Sequence, residues 1–414
     1  GTWEDLRDQK VLVFRPVGAL RSSKCACFDM DGTLITTKSG KSFPEDANDW
    51  KLLYPDAVLS SMKELYEDGY RCVVFSNQRG LATGKETKNN LQHKFTEIMK
   101  QLSVPMTMYL SYGLGIYRKP CDGLWTLFES ENGALDRKTS FYVGDAAGRP
   151  KNWQANAKKD HSKVDRLFAL NFGIRFYTPE EFFLKRSKAK FEMPEFDPKS
   201  IFDNRVYGVV VEPAAHRGTE LTTIERLISD RVELIVLVGY PASGKTTLAR
   251  EMIEARDYMH VNQDKLGSLE SCLKAVKQAL EDGKRVIVDN TNVQKDQRKS
   301  SGVTVHTSTR RLSFVGSVLI DTIVPYMSAA ASLTSLCLCD SNLRQVRHNN
   351  KFRLLTGTDS QHQNITDKTL YSLRKRFQQP DAEEGFDQIV VVKMVPQFEN
   401  DHLRKLYFMY LLEE

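Results

Sequence analysis

Apolar and polar positions along the chain follow two periods. Short runs such as Lys24–Met30 (Lys-Cys-Ala-Cys-Phe-Asp-Met), Arg71–Ser76 (Arg-Cys-Val-Val-Phe-Ser) and Phe141–Val143 are almost wholly apolar and run into polar residues, which predicts buried strands of a parallel sheet. Val11–Leu20 alternates and predicts an opening strand or edge hairpin. Between the strands, Ala57–Asp68 and Asn90–Leu102 repeat apolar residues at helical spacing, with Gly69 as a C-cap, and Thr178–Ser187 reads as a further helix. The alternation then restarts. Helices are predicted over Leu221–Arg231, from the end of a glycine-bounded loop to Arg256, and over Leu269–Asp282, with strands at Leu234–Val238, just before His260, at Arg285–Asp289 and at Ser335–Cys339. Two such series predict an α/β fold in two domains, each a doubly wound, mostly parallel sheet. The boundary falls near Lys199, giving domains 1–199 and 200–414, in a Pro-rich segment from Phe191 to Pro213. Phe191, Phe196 and Phe202 make that segment too apolar for a free tether and predict that it packs between the domains.

Chemistry concentrates where strands end. After Leu234–Val238 comes Gly239-Tyr-Pro-Ala-Ser243-Gly244-Lys245-Thr246-Thr247, and then a helix: a strand, a loop and a helix start that together make a P-loop. Gly239 and Gly244 let the backbone curl so that its N–H groups, with Ser243 and Thr247 in the cradle, face phosphate oxygens. Lys245 is expected to reach the β- and γ-phosphates of ATP and Thr246 to hold Mg²⁺. Asp289, at the end of an apolar strand, takes a Walker-B-like place. Asp264, after a shorter strand, is placed either to accept a hydroxyl proton or to cap a helix. Arg344–Arg353 reads either as a lid whose arginines stabilise transferred charge or as a basic solvated helix.

In the first half Asp29-Met30-Asp31-Gly32-Thr33 follows a buried strand, in the crevice where open α/β sheets bind ligands. Asp29 can attack phosphorus, and Asp31 can protonate the leaving oxygen and then deprotonate water. An anionic nucleophile facing an anionic phosphate needs a cation, so Mg²⁺ is expected, with Asp29, Asp31 and Asp145 as its ligands. Ser76 and Asn77, after the second strand, are placed to hold phosphate oxygens, and Lys119 to neutralise the transferred group. These four stretches, in this order, resemble the haloacid dehalogenase superfamily of phosphotransferases.

Composition narrows the picture only a little. The chain has 414 residues, 27% of them charged, with a formal net charge of +6, a balance that suits a polyanionic partner or merely a lysine-rich surface. Lys158, Lys159, Lys163 and Arg166 leave the same choice between a solvated loop and a nucleic-acid contact. Seven scattered cysteines suit a reducing compartment, with Cys25, Cys27, Cys337 and Cys339 as small buried hydrophobes. No apolar run is long enough to span a bilayer, and no membrane is expected among the partners. The chain opens on Gly1 rather than Met, from which a fragment or a processed form is expected.

The two halves together resemble the polynucleotide kinase 3′-phosphatase family. The likeness is carried by Phe28–Lys41, Ser76–Gly80, Arg118–Pro120, Gly144–Arg149, Gly239–Thr247, Asp264–Ser268, Asp289–Asn292 and Arg347–Arg353. It implies a bifunctional enzyme of strand-break repair acting on DNA ends in the nucleus. The first half would remove 3′-phosphates through Asp29, Asp31 and Lys119, and the second would phosphorylate 5′-hydroxyls with ATP through Asp264 and Arg347. It also implies an upstream forkhead-associated domain, with no counterpart here, through which repair scaffold proteins would be engaged. Two features depart from the family. Val293–Pro325 is an atypical Ser/Thr-rich insertion, read either as a surface loop or as an error of the gene model, and Gln263 stands where a basic residue is expected. The alternatives are a phosphatase–kinase fusion acting on small metabolites, and a phosphatase with an impaired kinase half.

Overall fold

The computed structural model describes residues 1–201, 207–212, 220–222, 224, 227–295, 333–357, 365–381, 384, 386, 388–393 and 396–413. Phe202, Pro213 and the stretch Val293–Pro325 beyond Lys295 lie outside the described residues. The chain divides into two units, Gly1–Asp197 with Lys405–Glu414, and Pro198–Arg404.

The first unit holds β1 (Thr2–Leu6), β2 (Val11–Arg15), β3 (Cys25–Phe28), β4 (Ile35–Thr36), β5 (Lys51–Leu52), β6 (Arg71–Asn77), β7 (Met106–Ser111), β8 (Phe141–Val143) and β9 (Arg175–Tyr177). Its helices are α1 (Pro55–Glu67), α2 (Arg79–Ala82), α3 (Lys88–Leu102), α4 (Gly123–Asn132), α5 (Val164–Phe172) and α6 (Pro179–Phe183). Seven strands pair in the order β1-β2-β7-β6-β3-β8-β9, parallel from β7 to β9. From β3 the chain winds first towards β7 and then, on the other side, towards β9. The reversal puts the end of β3 at a topological switch point. The parallel strands are apolar on both faces because both are covered. Ala26 and Phe28 of β3 join the core under α1 and α3, while Cys25 and Cys27 join the core under α4 and α5.

The second unit repeats the plan with β10 (Tyr207–Glu212), β11 (Glu220–Thr222), β12 (Glu233–Val238), β13 (Tyr258–Val261), β14 (Arg285–Asp289), β15 (Leu333–Asp340) and β16 (Gln388–Lys393). Its helices are α7 (Lys245–Ala255), α8 (Gln263–Leu266), α9 (Leu269–Glu281), α10 (Leu343–Thr356) and α11 (Asp367–Arg376). Strand order is β11-β10-β16-β15-β12-β14-β13, parallel from β16 to β13, and the switch point here lies at the end of β12. Among the described residues no helix is long and apolar enough to cross a membrane.

Several local expectations are corrected. Leu221 does not open a helix: Glu220–Thr222 pairs antiparallel with β10, and ladder hydrogen bonds override a short helical spacing. The helix expected over Thr178–Ser187 spans only Pro179–Phe183. It starts at a capping box between Thr178 and Glu181 and ends at Leu184, before Lys185 at φ +54°. The opening strand stops at Arg15, before Pro16. The last ten residues group with the first unit, because Glu413 pairs with Arg118 and the main chain of Tyr410 bonds with Asn171.

Candidate active sites

Asp29 follows β3 directly, and its main-chain N–H donates to the carbonyl of Val143 in β8 (2.9 Å). The Asp31 carboxylate leaves the next turn, which Gly32 makes at φ +85°. A Cβ there would lie 2.6 Å from the Asp145 carboxylate, so the glycine makes room for the neighbouring acid. Asp145 follows β8, so two strand ends at the switch point converge on one spot. Asp29, Asp145 and Asp165 bring carboxylate oxygens within 4.8 Å of one another.

Lys119 is the counter-charge. Its ammonium is buried and donates to Asp29 (2.8 Å), to Asp165 (2.7 Å) and to the Tyr142 hydroxyl (2.8 Å), which fills all three donors. Burial alone would depress this lysine, but Asp165 and Asp29 hold its pKa above the ordinary value. Burial pushes Asp29 up to about 7, with Lys119 opposing the rise and Asp165 adding to it. Asp145 is also held well above the usual carboxylate range, first by burial and then by Asp165 and Asp29. One ammonium among three clustered carboxylates leaves the site short of positive charge. That donor set of hard oxygens fits a divalent cation such as Mg²⁺, with Asp29 and Asp145 the oxygens best placed to hold it.

Asp165 and Tyr142 were not singled out by sequence. Asp165 accepts from Lys119, Tyr142 and the Ala146 N–H, so it orients Lys119 from behind. The Asn77 side-chain amide clasps the main chain of Lys119 from both sides, donating to the carbonyl (3.2 Å) and accepting from the N–H (3.0 Å). The Ser76 hydroxyl is buried and accepts from Gln78 (2.9 Å). The Asp31 side chain lies outside the three-carboxylate cluster and faces Lys94 (3.0 Å) and Gln78 (2.8 Å). Arg166 is neither solvated nor a surface contact. Its buried guanidinium donates to the Ala147 carbonyl (2.6 Å) and lies 3.6 Å from the Phe191 ring centroid. Phe191 thus packs within the first unit.

In the second unit the loop after β12 turns through Gly239 and Ala242 (φ +60°) to Gly244 (φ +95°), which caps α7. Lys245 is buried and donates back to the carbonyls of Gly239 (3.1 Å) and Tyr240 (2.7 Å), and burial lowers its pKa. Thr246 donates to Asp289 (2.8 Å), which also meets His260 Nε2 at 3.1 Å. Burial would raise Asp289, but the bonds from His260 and Thr246 hold it below the ordinary value. Ser243 is buried in the loop and Thr247 follows in the first turn of α7. Asn262 caps α8 and accepts from the N–H of Asp264 (2.9 Å). Asp264 is therefore not the cap, and its side chain is exposed near the P-loop strand ends. Arg347 sits on α10 and pairs through two nitrogens with Asp367 (3.0 Å each). A cavity of about 470 Å³ opens beside the loop, lined by Gly239, Tyr240, Cys339, Arg344, Arg347 and Arg374. Three arginines on one cavity suit a polyanion.

Residues 24–183 match the polynucleotide kinase 3 phosphatase family, and residues 234–269 match an AAA domain family. A bifunctional polynucleotide phosphatase/kinase of Schizosaccharomyces pombe is 34% identical over 371 residues, covering 89% of this chain and 79% of that protein. A polynucleotide 3′-phosphatase of Arabidopsis thaliana is 32% identical over 194 residues, covering 43% of this chain and 26% of that protein.

Proposed function

The chain belongs to the bifunctional polynucleotide phosphatase/kinase family, and from that membership we propose that it repairs the ends of broken DNA in the nucleus, with a 3′-phosphatase in 1–199 and an ATP-dependent 5′-hydroxyl kinase in 200–414. The observation that carries the reading is the cluster of buried Asp29, Asp165 and Lys119 with half-buried Asp145 at one switch point, with Lys245, Thr246 and Asp289 gathered at the other.

In the phosphatase half an Asp29 oxygen bonds to the phosphorus of a 3′-phosphate as the bond to the sugar oxygen breaks. Asp31 gives that oxygen its proton. Water then attacks the aspartyl-phosphate, Asp31 takes the proton back, and inorganic phosphate leaves. Lys119 neutralises charge on the transferred group and is kept aimed by Asp165, Tyr142 and Asn77. In the kinase half Asp264 accepts the proton of the 5′-hydroxyl as it attacks the γ-phosphate. Lys245 exchanges its two loop carbonyls for phosphate oxygens, and Arg347 exchanges Asp367 for the triphosphate. Gly239, Ser243, Gly244 and Thr247 cradle the phosphates. Asp29 and Asp145, and in the kinase half Thr246 with Asp289 beside it, would hold Mg²⁺, which when bound would supply the charge neutralisation that both transfers need.

The test offers an oligonucleotide bearing a 3′-phosphate alongside a nucleoside 3′-monophosphate and a sugar phosphate, and a 5′-hydroxyl oligonucleotide alongside a nucleoside, with Mg²⁺ and labelled ATP. Strong preference for the oligonucleotides in both reactions is expected. Equal turnover of the small compounds would replace this reading with metabolite chemistry.

A further inference from the structure

The apolar face of α3 is built from Leu91, Phe95, Ile98 and Leu102, all buried, and one charged residue sits among them. Lys94 leaves only 5% of its side chain exposed, and its ammonium lies 3.0 Å from Asp31 Oδ1. From the other side Gln78 Nε2 donates to Asp31 Oδ2 at 2.8 Å, and is itself placed by Ser76 Oγ at 2.9 Å. Both oxygens of Asp31 are therefore held from the protein side, although its side chain is 48% exposed. An unheld carboxylate with that much exposure would sample several rotamers. An ammonium in an apolar stripe is a poor way to stabilise a helix, because an apolar residue of the same size packs at least as well. The stability of the fold thus gives no reason for a lysine here, and the reach to Asp31 does.

We propose that Lys94 is a positioning residue for the phosphatase reaction. With Gln78 it holds the Asp31 carboxyl where the leaving sugar oxygen departs and where water later enters. The proposal rests on the reading of Asp31 as general acid and base. Lys94 touches neither the phosphorus nor the nucleophile; it acts through Asp31. It therefore matters in proportion to how much the leaving group needs a proton. A sugar alcohol needs one badly, whereas p-nitrophenolate leaves well without one.

The experiment measures the first turnover of Lys94→Met and of Asp31→Asn on two substrates: a 3′-phosphate oligonucleotide and p-nitrophenyl phosphate. General acid assistance is worth about 10²–10⁴-fold, so Asp31→Asn is expected to lose that much on the oligonucleotide, and Lys94→Met, which misplaces the acid without removing it, roughly 10- to 100-fold. Both variants should release p-nitrophenolate in the first turnover within about threefold of the parent protein. The thermal midpoint and the 5′-kinase rate of Lys94→Met should be unchanged. Gln78→Leu, at a half-buried loop position, should show the same contrast more weakly, which keeps the test open if Lys94→Met fails to fold. Equal loss on both substrates, or no loss on the oligonucleotide, while Asp31→Asn shows the contrast, overturns the role of Lys94 alone. Equal loss on both substrates in Asp31→Asn overturns the acid role of Asp31 and the proposal with it.

Discussion

Lys119 keeps almost none of its surface in water, and all three of its protons go to Asp29, Asp165 and Tyr142. Removing it strands two buried carboxylates and, on the proposed mechanism, leaves the transferred phosphoryl group unneutralised. Lys119→Met is expected to lower 3′-phosphatase turnover by about 10²–10³-fold and to destabilise the first unit by roughly 3–5 kcal/mol. Parallel assays of the two activities with thermal unfolding would check this; an unchanged phosphatase rate would remove Lys119 from the chemistry. A second expectation at this scale concerns the thiols. All seven cysteines are buried thiols, and burial pushes Cys25 and Cys72 up to about 12. Raised thiols stay protonated and unreactive, so an aromatic disulfide reagent at pH 8–9 should titrate almost nothing in the native protein and all seven after denaturation. Prompt native reaction of several thiols would contradict the packing. At this scale Asp29, Asp31, Lys119 and Lys245 were legible because each sits in a short local motif. Asp165 and Lys94 were not: their partners lie 46 and 63 residues away, and only the folded sheet joins them. A lysine on an otherwise apolar helix face was the one sign of Lys94 in the sequence.

At the scale of elements, the strand ends carry the argument. Carboxylates just past β3 and β8 and at the end of β14 could be placed from sequence because apolar runs mark buried parallel strands and ligands gather at their C-terminal ends. Boundaries decided by pairing were less legible. Leu221 has helical spacing with its successors, yet the partner strand β10 draws it into a ladder. The P-loop turn is a demanding local geometry. A Cβ on Gly239, at φ +155°, would lie 2.7 Å from Ser243 Oγ and 3.1 Å from the Cys339 carbonyl. Gly239→Ala should strain the loop by about 1–3 kcal/mol, weakening ATP binding roughly 5- to 150-fold. The phosphatase should be untouched. Nucleotide binding followed by calorimetry reads the first effect, and undiminished affinity would show that the loop tolerates the methyl group.

At the scale of the whole molecule, the sequence divided the chain near Lys199 but gave no sign that its end returns to the first unit. That return depends on contacts more than 200 residues apart. Arg118, beside Lys119, pairs with Glu413, and Asn171 joins the Pro120 carbonyl to the main chain of Tyr410. The segment after Tyr407 thus braces the loop that carries Lys119. Deleting it should slow the phosphatase by about tenfold or more, since small misplacements of a catalytic group are costly, and should slow the kinase far less. Equal loss of both activities would mean that the segment serves general stability instead.

On the proposed function, two separate phosphate sites, one at each switch point, serve the two ends of one broken strand. The most direct test of that reading is an oligonucleotide with a 3′-phosphate and a 5′-hydroxyl, incubated with Mg²⁺ and labelled ATP and given in turn to Asp29→Asn and Lys245→Met. Asp29→Asn is expected to label the 5′ end and leave the 3′-phosphate in place, and Lys245→Met to remove the phosphate without labelling. A folded variant of either kind that loses both reactions would contradict that reading.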